Sequence, residues 1–164
     1  MHQAQKGEQW HFGMKAHRGA DAQSGLVPTL VTTAAHAGDV TQVHALLHGK
    51  ERIAFGDAGY RGVEKREENP TPDVNGQVAL RPGKRCALPD NELGRIEEKL
   101  EKLKASVRAQ VETPFHTIKN IFQMKKVRYR GLLKNTTQLL TLFGLANLLM
   151  AKRRILALHA QGAS

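Results

Sequence analysis

Acidic residues almost disappear from the last part of this chain. Residues 1–100 hold thirteen Lys/Arg and thirteen Asp/Glu; residues 101–164 hold twelve Lys/Arg against Glu101 and Glu112 alone, completing the totals of 25 and 15. The formal net charge of +10 is therefore entirely C-terminal. Cysteine is scarcer still. A lone Cys86 excludes an internal disulfide and leaves no cysteine pair to frame a zinc site. Long apolar runs are missing too: the richest stretch, LLTLFGLANLLM from Leu139 to Met150, carries Asn147 inside it and reads as a buried helix rather than a membrane span. MHQAQKGEQ at the N-terminus has no apolar signal-peptide core, so the expectation is a cytoplasmic protein without a membrane partner. At 164 residues and 40% hydrophobic content, one core is what the chain can build.

What is present is an ordered series of local patterns. In QWHFGMKAHRG, Trp10, Phe12, Met14 and Ala16 alternate with His11, Gly13, Lys15 and His17, the period of a half-buried strand. After the loop GADAQSG, LVPTLVTT reads as a second strand and completes an antiparallel hairpin, with Pro28 marking an edge or bulge. Asp39 then caps a helix whose face is Val40, Val43, Leu46 and Leu47 and whose end is Gly49. The strand Arg52 to Gly56 follows, VEKREE is a short helix, and QVAL (Gln77 to Leu80) a short strand. From Asp90 onward Ile96, Leu100, Leu103, Val107, Val111, Phe115, Ile118 and Phe122 step by three or four as one amphipathic stripe. Pro114 either kinks this helix or opens a fresh one capped by Thr113. A last helix runs from Thr137 to about His159, capped by Thr136 or Thr137. The expected fold class is α/β (α+β) with a mixed sheet, divided into a sheet portion over about 10–81, a basic helical portion over 90–159 and a tail over 160–164.

Polar chemistry in such sheets gathers beyond the carboxyl ends of strands, and Asp57 in RIAFGDAGYRG stands at one of them. The same Asp, followed by Ala-Gly, is also an ordinary turn former. A second acid is offered by Glu112. Arg108, Glu112 and Lys119 are four and seven residues apart, so a continuous helix would set them within about 40° of one another. An ionised carboxylate between cations suits a hard divalent ion; the same spacing also describes a plain i, i+4 ion pair on a wet face. KKVRYRGLLKN adds Lys125, Lys126, Arg128, Arg130 and Lys134 around Tyr129, a composition suited to phosphates and stacked bases as well as to a solvated connector.

GDAGYRG, VRAQVETPFHTIKNIF and KVRYRGLLKNTTQLLTLFGLANL together resemble the C-terminal part of a DDE transposase of bacterial insertion sequences, the group with a Y-(2)-R-(3)-E-(6)-K signature. Arg108, Glu112 and Lys119 match its R-E-K; Ala105 stands where its Tyr belongs. QWHFGMKAHRGADAQSGLV and LLHGKE also look like the family's connecting segments, so the likeness spans about Met1 to Arg153. The resemblance implies a ribonuclease H-like domain in which Asp57 is the second catalytic aspartate and Glu112 the catalytic glutamate, both holding Mg²⁺ or Mn²⁺. It further implies that Arg108 and Lys119 position DNA and that the intact family works as a homo-oligomer on transposon ends and target DNA. The family's first aspartate belongs to a strand ahead of QWHFGMKAH. Asp21, in a hairpin turn, and Asp39, a helix cap, lack the strand context to replace it, so the expectation is a truncated sheet lacking its first strand, weak metal binding and little activity.

Two other readings remain beside this one. The chain can serve as a non-catalytic DNA-binding piece that modulates a full transposase, or as a basic interaction domain without a metal site. His44 and His48, spaced i, i+4, offer a zinc pair with no supporting ligand and read better as surface histidines. Lys15 and His17, on the polar face of the first strand, are candidates for DNA contact but read better as a solvated strand face.

Overall fold

The alternation around Met14 lies inside an 11-residue strand, and two shorter strands pair with it in succession. The computed structural model describes residues 2–6, 8–65 and 74–162. β1 (His2–Lys6) runs antiparallel to the first half of β2 (Gln9–Gly19), with His2 opposite Gly13; β3 (Thr29–Ala34) runs antiparallel to the second half, with Met14 opposite Ala34. β1 carries no apolar alternation, so HQAQK gives no strand signal; its backbone pairs with β2, and the His2 ring meets His36 edge to face at 4.5 Å. Pro28 lies just before β3, where its missing N–H costs the ladder nothing. Asp21 closes the β2–β3 loop, its Oδ1 accepting from Ser24 Oγ at 2.6 Å and from the Ser24 amide at 2.6 Å.

The chain divides into two compact units, residues 1–37 with 111–164 and residues 38–110. In the first, the core gathers Val27, Ile118, Leu139, Phe143 and Ala146, with Met14, Ala16, Leu30 and Phe115 against it. Phe115 meets Phe143 edge to face at 5.5 Å. Much of this core comes from α4 (Leu132–Gly162), a helix about 46 Å long. It starts five residues before the expected Thr137 and passes the expected end at His159, taking in part of what reads as a tail. Thr136 and Thr137 do not cap it: their hydroxyls donate to the carbonyls of Leu132 and Leu133 one turn back, and Thr136 Oγ1 also meets Thr32 Oγ1 of β3 at 2.6 Å. Asn147, the polar interruption of the apolar run, donates to the Val27 carbonyl at 2.8 Å and accepts from its amide at 2.9 Å, ending the polar needs of a loop that Pro28 follows.

The second unit holds β4 (Ile53–Gly56) paired in parallel with β5 (Asn75–Val78), so the parallel and antiparallel pairings lie in separate sheets among the described residues. The helix expected over 40–47 is a 3₁₀ turn, Val40–Gln42, followed by α1 (Val43–Leu46). Asp39 makes no side-chain capping bond to that 3₁₀ turn, because its own backbone is already in the helical region. Of VEKREE, Val63–Lys65 form a 3₁₀ turn and the remainder lies outside the described residues. α2 (Pro82–Cys86) precedes α3 (Glu92–His116), which begins in this unit and ends in the first.

α3 corrects the amphipathic reading over its first half. Glu101 and Lys104 are buried there, 4% and 9% exposed, beside Gly94, while Leu93, Ile96, Leu100 and Leu103 face solvent. Glu101 Oε2 accepts from the Leu80 amide at 2.9 Å, just beyond β5, and Lys104 Nζ donates to Glu101 Oε1 at 2.9 Å. Past Gln110 the same period does face a core: Phe115 and Ile118 pack on Phe143 and its neighbours. Pro114 is fully buried inside the helix rather than at the head of a new one, and a π-helical turn, Thr117–Ile121, follows it.

Candidate functional site

Asp57 is the first residue beyond the carboxyl end of β4. Its extended backbone ends the strand, and its Oδ1 accepts from the Gly59 amide at 2.8 Å, capping the 3₁₀ turn Ala58–Tyr60. Asp57 thus forms the turn, and its second carboxylate oxygen, Oδ2, on an exposed side chain, accepts no hydrogen bond among the described residues. A Cβ on Gly59 would stand 2.9 Å from Asp57 Oδ1, so a larger residue there would push the carboxylate aside.

Glu112 projects from α3 into solvent and forms no ion pair among the described residues. The chain around it is organised by Pro114. Pro114 removes the amide donor that the Gln110 carbonyl would meet in an unbroken helix, and one residue on the Val111 carbonyl accepts from β2, from Arg18 Nε at 3.1 Å and Nη2 at 2.8 Å. The Arg18 guanidinium also lies 3.6 Å from the centre of the Phe115 ring, and Lys119 Nζ lies 5.5 Å from that ring, both within cation–π range. The residues near Glu112 in sequence thus hold two cations on one aromatic ring. The expected 40° alignment presumed an unbroken α-helix; the proline and the π turn lie between Glu112 and Lys119, so heptad spacing no longer fixes where Lys119 points. Arg108, half-buried, belongs to the unit that ends at Gln110 and forms no ion pair among the described residues.

Between the π turn and α4 the chain is irregular, and there Lys125, Lys126, Arg128 and Arg130 are all exposed, as is Lys134 on the first turn of α4. Their loop is shaped by one buried amide. Asn135, 0% exposed, donates to the carbonyls of Tyr129 at 2.6 Å and Gly131 at 2.7 Å and accepts from the Tyr129 amide at 3.2 Å. Gly131, at φ +86°, supplies the left-handed step that lets the loop enter the helix. Beside this turn a cleft of about 450 Å³ is lined by Tyr129, Lys134, Thr137, Gln138, Thr141 and Leu142.

Lys15 and His17 leave the list of nucleic-acid candidates. Lys15 Nζ donates to the Ala37 carbonyl at 2.8 Å, and His17 is buried with Nε2 2.7 Å from Thr33 Oγ1. His48 falls outside α1 and pairs through Nδ1 with Glu51 at 2.7 Å, so the helical zinc pair does not form. Among the described residues there is no group of three or more His, Cys, Asp or Glu that could hold a metal ion, and no helix long and apolar enough to cross a membrane. Arg18 and Asn135 carry much of this geometry and gave little signal in the sequence. Arg18 is one polar position of an alternating strand, with its carbonyl partner 93 residues away, and Asn135 reads as helix-start vocabulary.

The profile of the family described as Transposase DDE domain matches residues 1–148. No solved structure matches the chain.

Proposed function

The chain belongs to the transposase DDE domain family, whose substrate is DNA, and we propose that it grips DNA through the basic loop and lends Asp57 and Glu112 to divalent-metal phosphoryl transfer. The observation that carries the chemical part is Asp57 just past a strand of a parallel pair, exposed, with Oδ1 held by Gly59 and Oδ2 without a hydrogen bond among the described residues. Such an oxygen donor suits Mg²⁺ or Mn²⁺, and the exposed carboxylate of Glu112 is of the same chemical kind. Ions held by these two carboxylates would supply activation of an attacking oxygen and charge stabilisation of the leaving one. The protein's own part is to present both carboxylates and to hold the backbone of the DNA. Arg108 and Lys119 position it, and Lys125, Lys126, Arg128, Arg130 and Lys134 neutralise phosphates, each releasing condensed counterions. We place the chain in the ribonuclease H-like class, on the element order of an antiparallel set followed by a parallel strand ending in Asp57.

A second reading, DNA binding without catalysis, is favoured by a specific contrast: the basic loop is fully shaped, whereas no three-ligand metal cluster exists among the described residues. One set of measurements separates the two. Nicking of supercoiled plasmid in Mn²⁺ that is lost in both Asp57→Asn and Glu112→Gln supports the catalytic reading; nicking untouched by either substitution overturns it. DNA binding without nicking supports the second. For binding, fluorescence anisotropy of a labelled duplex between 50 and 200 mM salt, roughly the range where phosphate contacts dominate, gives the counterion slope. Replacing the five loop cations by alanine is expected to flatten that slope by up to about 4.5, and an unchanged slope removes the loop from the interface.

A further inference from the structure

The apolar face of β2 runs on past the core that covers it. Trp10, Phe12, Met14 and Ala16 share that face at intervals of two; Met14 and Ala16 pack on the core of their unit, while Trp10 and Phe12 are 66% and 68% exposed. In the register of β1 with β2, Gln5 lies opposite Trp10 and Gln3 opposite Phe12, so both glutamines share the face with the rings, and both are exposed. Apolar side chains laid over this face would take the two amides out of water without partners, so it is not a core awaiting more of the same. Two residues of strand advance about 6.8 Å, which leaves room for one flat ring between Trp10 and Phe12 at the roughly 3.4 Å step of stacked bases.

The charge of the unit says what would cover it. Residues 1–37 with 111–164 carry twelve Lys/Arg against Glu8, Asp21 and Glu112, a net +9 of the chain's +10. That balance calls for a polyanion. A nucleic acid brings, with its phosphates, flat rings for Trp10 and Phe12 and edge N–H and C=O groups for Gln3 and Gln5. In a duplex those rings lie on one another and their pairing edges are taken, whereas an unpaired strand offers both faces and edges. An anionic lipid surface answers the charge and the rings but leaves the glutamine amides without partners.

We propose that Trp10, Phe12, Gln3 and Gln5 form a platform for unpaired nucleobases, a contact separate from the phosphate contacts of the basic loop. It rests on the reading of DNA as the chain's substrate and not on the metal. Trp10 is the chain's only tryptophan, so its emission reports the platform directly. The full chain is titrated with an oligothymidylate of about ten nucleotides, within the roughly 4–16 that one single-strand-binding fold covers, and with an abasic sugar–phosphate strand of the same length. The expected result is quenching by the oligothymidylate alone. Phe12→Ala is expected to raise its dissociation constant about tenfold with the circular dichroism spectrum unchanged, since both rings are exposed. Binding of labelled oligothymidylate falls by a similar factor in Trp10→Ala, while binding of a labelled duplex does not change. Equal quenching by the abasic strand, no quenching by either, or indifference to Phe12→Ala overturns the proposal. So does a Trp10 emission that responds to phosphatidylserine vesicles, or to protein concentration, and not to the oligothymidylate. If the duplex binds with its salt slope while the oligothymidylate leaves Trp10 unquenched, the platform alone falls; if the duplex fails to bind while quenching persists, the loop reading falls and the platform stands.

Discussion

Residues 1–37 with 111–164 close around Phe143, Ile118 and Ala146, whereas residues 38–110 put Glu101 and Lys104 inside and leave Ile96 and Leu103 in water. Both arrangements use the same helix and nearly the same three-four period. Periodicity states which residues share a face; it does not state whether that face turns inward. In the first unit α4 and β3 supply apolar partners for Phe115 and Ile118. In the second the nearest demand is polar, the free amide of Leu80 beyond a short β5, and a carboxylate answers it better than a leucine does.

The largest test of this contrast is Phe143→Ala. Emptying the apolar core is expected to cost about 3–5 kcal/mol in urea unfolding, with hydrogen-exchange protection lost first in α4 and β3. Lys104→Met follows, at about 3 kcal/mol, because it strands the Glu101 carboxylate in a dry place; the double change Glu101→Leu/Lys104→Met is expected to recover much of that, and a single change without cost removes the ion pair from the account. Asn135→Ala is expected to cost about 1–3 kcal/mol through the freed loop carbonyls, and to weaken duplex binding although no charge is lost. Acid gives a smaller effect of fixed sign. Burial pushes the Glu101 carboxyl up, but the Leu80 amide and Lys104 together hold it below its ordinary value of 4.5. Its contribution is complete above pH 4.5 and is lost as pH falls from there through the lower folded value, so Glu101→Gln is expected to flatten the acid limb of a pH–stability curve. Smallest is Ile96→Gln, expected within about 0.5 kcal/mol; a larger loss would mean the stripe is covered within one chain.

Much of the architecture was legible beforehand. The β2–β3 hairpin, the strand ending at Asp57 and the two long C-terminal helices all follow from alternation, turn residues and three-four spacing. β1 was not, since a strand that owes its order to pairing needs no apolar pattern. The π turn was hidden because Pro114 announces a disturbance but not how the next turn absorbs it. At the site, Asp57 was readable because strand end and glycine turn coincide in seven residues, while Arg18 was not, because a guanidinium bound to a carbonyl across the fold leaves no mark on its neighbours. The likeness of Arg108, Glu112 and Lys119 to a family signature names residues; their three-dimensional setting, with Lys119 near Phe115 and Arg18 on the same ring, had to come from coordinates.

The Asn135 clamp has a consequence for how this surface responds to its medium. A primary amide neither ionises nor attracts counterions, so acid, alkali and moderate salt leave the bend between Tyr129 and Gly131 as it is. Ionic strength can then dim the pull of the lysines and arginines on a polyanion without unshaping the hand that carries them, and when the salt is diluted again the grip returns with no refolding to wait for.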